Sequence, residues 1–265
     1  MTSARLRFIF TTCVAFILVG CAGSSGVTPQ TARVSPGNAA LLTGQTLQFT
    51  TNISTDPTKL IWSVNGTPGG DSTAGTIDTG GNYSAPAMQP ATTVSVTATS
   101  SVRSDLAASA TVTVVSPGQV TKTAQLQVAA YTIAPPVAAN VSIQFGTDTT
   151  YGLSTWSQTS AGAGAPLSIF VAGMRANTVY HMRAVLQMPD GSQVDDLDHT
   201  FTTGDLPADV TPLITASSPN GMTPQPGVEM YDLLSADIPV VATDTAGNIV
   251  WWYRPADGNP ADSIQ

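Results

Sequence analysis

The sequence predicts an all-β protein: two tandem antiparallel β-sandwiches followed by a strand-bearing tail. Apolar and polar residues alternate over many short stretches, as half-buried strands require. Turn formers interrupt these stretches throughout, with 23 Gly and 19 Pro in 265 residues. No segment after the leader shows a capped helix with a period of about 3.6 residues. Composition agrees. Apolar residues make up 42% of the chain, a normal share, but charged residues only 10%. Polarity therefore comes from Thr, Ser, Asn and Gly, which suit strands and turns better than amphipathic helices.

The chain opens with Arg5 and Arg7, and the twelve residues from Phe8 to Val19 form an apolar run. A span needs about 20 apolar residues, so this run fits the h-region of a signal peptide instead. The closing Leu18-Val19-Gly20-Cys21 resembles a bacterial lipobox. That resemblance implies cleavage after Gly20 and a diacylglyceryl group on the Cys21 thiol, with a further acyl chain on the freed amine. Two or three chains anchor stably, at roughly 0.8 kcal/mol per buried methylene. Residues 1–21 are thus expected to be a signal peptide ending in a lipidated cysteine, and residues 22–32 a flexible polar tether. Ala22 stands where inner-membrane retention is associated with Asp, so the resemblance implies the outer membrane, facing the periplasm or cell surface.

Loss of the leader removes Cys13, and acylation uses Cys21, so the domains are expected to hold without thiols or disulfides. The net charge of -8 reflects scarce Lys and Arg. No window clusters them, so nucleic acid is excluded as a partner and the lipid is the only membrane contact expected.

Residues 33–116 form the first predicted sandwich. Its strands are read at Leu47–Phe49, Leu60–Val64, Val94–Ala98 and Ala110–Val114, with Asn65-Gly66 turning a hairpin and Trp62 filling the space between sheets. The run from Val34 to Gly37, then Gly44 to Phe49, Trp62 to Gly66, Gly75 to Ile77 and Asn82-Tyr83-Ser84-Ala85-Pro86, resembles a bacterial immunoglobulin-like module, with Trp62 and Tyr83 as its structural aromatics. Such modules serve as spacers, adhesins and appendages to enzymes, so the resemblance implies fold more than function.

Ser116-Pro117-Gly118 marks a boundary, and residues 120–204 form the second predicted sandwich. Alternating segments run over Gln125–Tyr131, Asn140–Phe145, Leu167–Val171, Val179–Leu186 and His199–Thr203, with Asp190-Gly191 at a hairpin. The stretch from Gly173 to Arg183 resembles a fibronectin type III domain, which makes Tyr180 the corner tyrosine whose hydroxyl bonds to upstream backbone.

Residues 205–265 read differently. Pro207, Pro212, Pro219, Pro224 and Pro226 precede two strands, Pro239–Asp244 and Ile249–Tyr253, around an Asp244–Asn248 turn in which Gly247 and Asn248 suit positive φ. This unit resembles the opening of a propeller blade, a repeat of roughly 40 to 50 residues, and only one partial blade fits. With Pro219-Asn220-Gly221 and the preceding sandwich, it is similar to the start of the bacterial arylsulfotransferase family. Asp244, Gly247 and Trp251 are the structural residues of that match. The resemblance implies sulfuryl transfer from a phenolic sulfate to a phenol through a transiently sulfated histidine. The family's catalytic residues lie in the propeller, so no catalytic position is carried onto this chain. A lone hairpin would expose Ile249, Trp251 and Tyr253, so the chain reads as the front of a longer protein, with packing onto the second sandwich as the alternative.

Other chemistry is sparse. His181 is expected to point away from the core face taken by Tyr180. His199 follows Asp195-Asp196-Leu197-Asp198, but the spacing matches no known metal loop, so no metal site is assigned. No nucleophile elbow, phosphate loop or zinc-protease motif occurs, and no cofactor is expected. Trp156, Trp251 and Trp252 could stack on sugar rings, with packing the preferred reading of each. Two functions remain: the tethered front of an arylsulfotransferase-like enzyme with sandwich spacers, or a non-catalytic surface lipoprotein binding glycan or protein. Mass spectrometry of the envelope-extracted protein should find residues 1–20 absent and Cys21 acylated; an intact leader or a free thiol there would refute the anchor.

Overall fold

A computed structural model describes residues 31–207, 210, 222, 225, 227–232 and 240–254. Gly20, Cys21 and the apolar leader lie outside the described residues, as does Pro219-Asn220-Gly221. The described chain is all-β, with one short 3₁₀ turn at Pro57–Lys59 as its only helical element.

The first sandwich faces two sheets across one core. One sheet orders its strands Asn38–Leu42, Ala107–Val115, Val94–Ser100, Leu60–Val64 and Thr67–Pro68. The other orders Thr46–Gln48, Asn82–Ser84, Gly75–Ile77 and Gly70–Asp71. Alternation decides which side chains meet: in Val94–Ser100 every second residue, from Val94 through Val96 and Ala98 to Ser100, is buried. Asn38–Leu42 pairs parallel with Ala107–Val115, from Asn38 opposite Thr111 to Leu42 opposite Val115. A parallel pair cannot be a hairpin, so the first and last long strands of the module close the sheet, as in immunoglobulin-like sandwiches. Asn65 (φ 47) and Gly66 (φ 82) both take the left-handed conformation that a two-residue hairpin demands.

The second sandwich sets Gln119–Lys122, Ala129–Ile133 and Leu167–Val171 against a larger sheet. The larger sheet is built on Asn140–Gly146 and Val179–Gln187, flanked by Leu153–Ser154, Gln158–Thr159, Gln193–Asp195 and His199–Thr202. Tyr131, Ile143, Ile169, Met182 and Leu186 fill its core. Pairing begins at Ala129, later than the alternation from Gln125 predicts. Thr123 Oγ1 donates to the carbonyls of Gln125 and Val128, and this folds residues 123–128 into a turn.

The junction between sandwiches is bound on both sides. Leu42 and Val115 pack into the second core, and Asn38 Nδ2 donates to Asp190 O at 3.3 Å. Gln89 accepts from Ser116 N at 2.7 Å and donates to Ala134 O at 2.8 Å. Gly118 N donates to the buried Asp196 carboxylate at 2.7 Å.

The tail forms an antiparallel sheet of Val228–Asp232, Val240–Asp244 and Ile249–Tyr253, one strand more than the sequence predicts. Val228–Asp232 is exposed along its whole length, so it lacks the one-sided burial that reveals a strand. Ile249, expected at a bare face, is instead buried in a small core with Val210 and Val241, beside Leu206 and Trp252. The sheet is seated on the second sandwich. Trp252 Nε1 donates to Gln127 Oε1 at 3.1 Å, Gln125 Nε2 donates to Trp252 O at 2.6 Å, and Arg175 pairs with Asp244 at 2.7 Å.

Gly118 has no room for a side chain: a Cβ would lie 2.5 Å from the Tyr131 ring, 2.9 Å from Asp196 Oδ2 and 3.0 Å from Thr132 O. Gly118→Ala should lower stability by about 1–3 kcal/mol, read as a lower urea midpoint, through overpacking and loss of the carboxylate contact.

Candidate functional site

The structural residues named from the sequence sit as follows. Trp62 is buried in the first core, 5% exposed, but its indole N–H has no acceptor among the described residues. Tyr83 is fully buried and its hydroxyl donates to Ala74 O at 2.7 Å. Burial pushes that hydroxyl up to about 12. Tyr180 is buried, and its hydroxyl accepts from Arg175 N at 3.0 Å, the corner bond of a fibronectin-like sandwich.

Asp244 organises the tail turn. Its Oδ1 accepts from Ala246 N and Asn248 N, both at 2.9 Å, and Gly247 takes φ 83. Asn248, expected at positive φ, is not among the positive-φ residues; its side-chain amide instead donates to both Asp244 oxygens. The same turn occurs in the first sandwich. Asp78 Oδ1 accepts from Gly80 N and Asn82 N, both at 2.9 Å, with Gly81 at φ 87. Asp-Thr-x-Gly-Asn is therefore a general hairpin device in this chain, and Asp244 and Gly247 are explained by turn geometry alone.

Other carboxylates work in the same way. Asp56, Asp71, Asp148 and Asp190 each accept from the backbone N–H and the hydroxyl of a Thr or Ser two residues on. Six carboxylates among the described residues thus serve turn donors.

A polar cluster covers the outer face of the second sandwich. Along Val179–Gln187, Tyr180, Met182, Ala184 and Leu186 turn inward while His181 and Arg183 turn out. His181 Nδ1 lies 2.7 Å from Asp198 Oδ2, and Tyr151 O–H donates to Asp198 Oδ1 at 3.1 Å. Arg183 pairs with Asp195 at 3.0 Å, donates to Gln144 Oε1, and sits 4.8 Å from the centre of the Tyr151 ring. Tyr151 holds φ 63, a strained value for a residue with a side chain, and its ring and hydroxyl contacts offset the cost. Burial, followed by the bond to Asp198, pushes the Tyr151 hydroxyl up.

The acidic run before His199 does not converge. Asp195 meets Arg183 and Asp198 meets His181, while Asp196 turns into the core. Among the described residues no three His, Cys, Asp or Glu side chains gather in a way that could hold a metal ion. Asp196 is the residue that local sequence reading missed. Its Oδ2 accepts from Gly118 N and from Tyr131 O–H, both at 2.7 Å, and its Oδ1 from Leu197 N at 2.7 Å. Burial and the neighbouring Asp196 push the Tyr131 hydroxyl well above its ordinary value. Strand alternation holds the signal, since Asp196 shares a face with buried Val194.

The tryptophans divide. Trp252 packs on Gln127, and Trp251 is half-buried, its ring stacked near Tyr253 with centroids 6.4 Å apart. Trp156, expected to pack, is 92% exposed on the loop between Leu153–Ser154 and Gln158–Thr159.

No family model matches the chain, and no curated protein matches it. Solved structures that match include the N-terminal eight Ig domains of Down Syndrome Cell Adhesion Molecule, at 12% identity and a TM-score of 0.30. That match covers 66% of this chain and 27% of the other. Titin domains match at 11% identity and a TM-score of 0.25, covering 66% of each chain. The strand pairings above, and not these overlaps, define the immunoglobulin- and fibronectin-like sandwiches.

Hydrogen bonds from Thr58, Thr73 and Thr150 hold Asp56, Asp71 and Asp148 below the usual carboxylate value of 3.8. For Asp244 burial pushes upward, but Asn248 and Arg175 outweigh it and the net shift is down. Depressed carboxylates stabilise the fold fully above their unfolded pKa and lose that contribution as pH falls through the folded one. Stability should therefore be flat from neutral pH to about 5 and fall below about 4, and Asp244→Asn should shrink the fall; an unchanged acid limb would refute this role.

Proposed function

We propose that this chain is the envelope-tethered front of an arylsulfotransferase-like protein, whose two sandwiches form a pedestal for a sulfuryl-transferring propeller. The observation that carries this reading is the terminal sheet. Its strands follow chain order as an antiparallel meander, Val228 opposite Asp244 and Val240 opposite Tyr253, which supplies three strands of a four-stranded blade. Residues 240–243 are buried while Val228–Asp232 stays exposed. The Gln125, Gln127 and Arg175 contacts fasten this sheet to the second sandwich, as a pedestal requires. The Leu18–Cys21 run supports a lipid tether that keeps the assembly at the membrane.

The sulfuryl chemistry itself needs an imidazole to attack sulfur and cations to neutralise the oxygens of the transferred sulfuryl group as the phenolate departs. His181 has an orienting carboxylate in Asp198, but the nearby Arg183 is already paired with Asp195 and is not free to meet a sulfuryl group. The pedestal is therefore non-catalytic in this reading.

A second reading, a non-catalytic surface lipoprotein binding glycan or protein, is favoured by Trp156, whose exposed ring is available for stacking. The two separate in one experiment. The coding sequence is read past Gln265, and its whole product is incubated with p-nitrophenyl sulfate and a phenol acceptor. Further blade-length repeats together with nitrophenolate release are expected. A folded product that releases none refutes the sulfuryl-transfer reading.

A further inference from the structure

Trp62 presents an unexplained cost. Its ring suits the core, but a phenyl ring would pack there without bringing a donor, and the indole N–H is shut from solvent with no acceptor among the described residues. Trp62 also forms part of the wall of a depression of about 240 Å³ at one end of the first sandwich. No charged side chain lines it. Thr50, Ser54, Thr55 and Thr79 supply hydroxyls, while Leu60 and Phe49 supply apolar surface. A second, mostly apolar depression of about 250 Å³, with Ile61 and Ile77 in its wall, shares Leu60, Trp62 and Thr79 with the first.

The turn Asp78–Asn82 closes over the indole. A Cβ on Gly81 would lie 2.9 Å from Trp62 Cζ2, and Gln48 Nε2 holds Gly80 O at 2.9 Å. That side-chain bond and the backbone bond from Phe49 N to Gly81 O at 2.8 Å together keep this cover shut.

We infer that this end of the first sandwich binds an uncharged sugar residue, whose hydroxyl accepts from the Trp62 N–H when the Asp78–Asn82 turn lifts from the indole. The volume falls just below that of pockets for drug-sized ligands, as suits a single ring. An absence of charge in the wall disfavours ionic ligands, because a buried charge needs a partner. A pyranose combines an apolar face with hydroxyls that both donate and accept, which matches a wall of Thr and Ser hydroxyls beside Leu60 and Phe49. This inference is independent of sulfuryl transfer and concerns a different module from Trp156.

The test titrates the isotope-labelled full chain with methyl glucopyranoside, methyl mannopyranoside and N-acetylglucosamine, up to about ten millimolar, and reads the tryptophan indole N–H resonances. The Trp62 signal, assigned by its absence from Trp62→Phe, should shift saturably with at least one sugar. Thr55→Val combined with Thr79→Val changes exposed side chains only, and should weaken that binding about tenfold with the melting temperature unchanged. An unmoved Trp62 signal with all three sugars overturns the inference, as does a shift confined to Trp156.

Discussion

The Asp196 carboxylate is the contact on which the seating of the connector in the second sandwich depends. Its side chain is withdrawn from water, and removing a carboxylate from water costs several kcal/mol unless donors replace the lost hydration. Three donors do so: the amide of Gly118 in the connector, the hydroxyl of Tyr131 in one sheet, and the amide of Leu197 beside it. The Tyr131 hydroxyl also accepts from Ala184 N at 3.2 Å in the opposite sheet. One side chain thus ties connector, smaller sheet and larger sheet together. The connector's Pro-Gly pair reads as a hinge in sequence, but it is held as part of the second module.

Much of the fold was legible because period-two alternation is a direct image of one-sided burial. Val94–Ser100 and Val179–Gln187 follow it residue by residue, and Tyr180 was recognisable from the segment around it. What escaped did so for physical reasons. Val228–Asp232 lies bare on both faces, and Gln125–Val128 alternates for turn bonding instead of pairing. Asp196 sits between two solvent-facing carboxylates that look identical in sequence; its parity with Val194 separates it from Asp195, but Asp198 shares that parity and only the structure tells the two apart. Cys21, which carries the envelope reading, lies outside the described residues.

The acidic composition also acquires a local meaning. Asp56, Asp71, Asp78, Asp148, Asp190 and Asp244 meet backbone amides that the tight turns leave without strand partners. Such use ties negative charge to loop geometry. It also explains why one turn signature appears in two modules of different topology. Among the aromatic side chains of the described residues Trp156 is the one that stands fully at the surface, while Trp62 is enclosed in the first core.

The parallel pairing of Asn38–Leu42 with Ala107–Val115 has a mechanical consequence. Because the strands run in the same direction, the point where the chain enters one and the point where it leaves the other are at opposite ends of the pair. Tension drawn through the module would load these backbone bonds together in shear, where an antiparallel hairpin would unzip one bond at a time. The arrangement suits a segment that must transmit pull without lengthening.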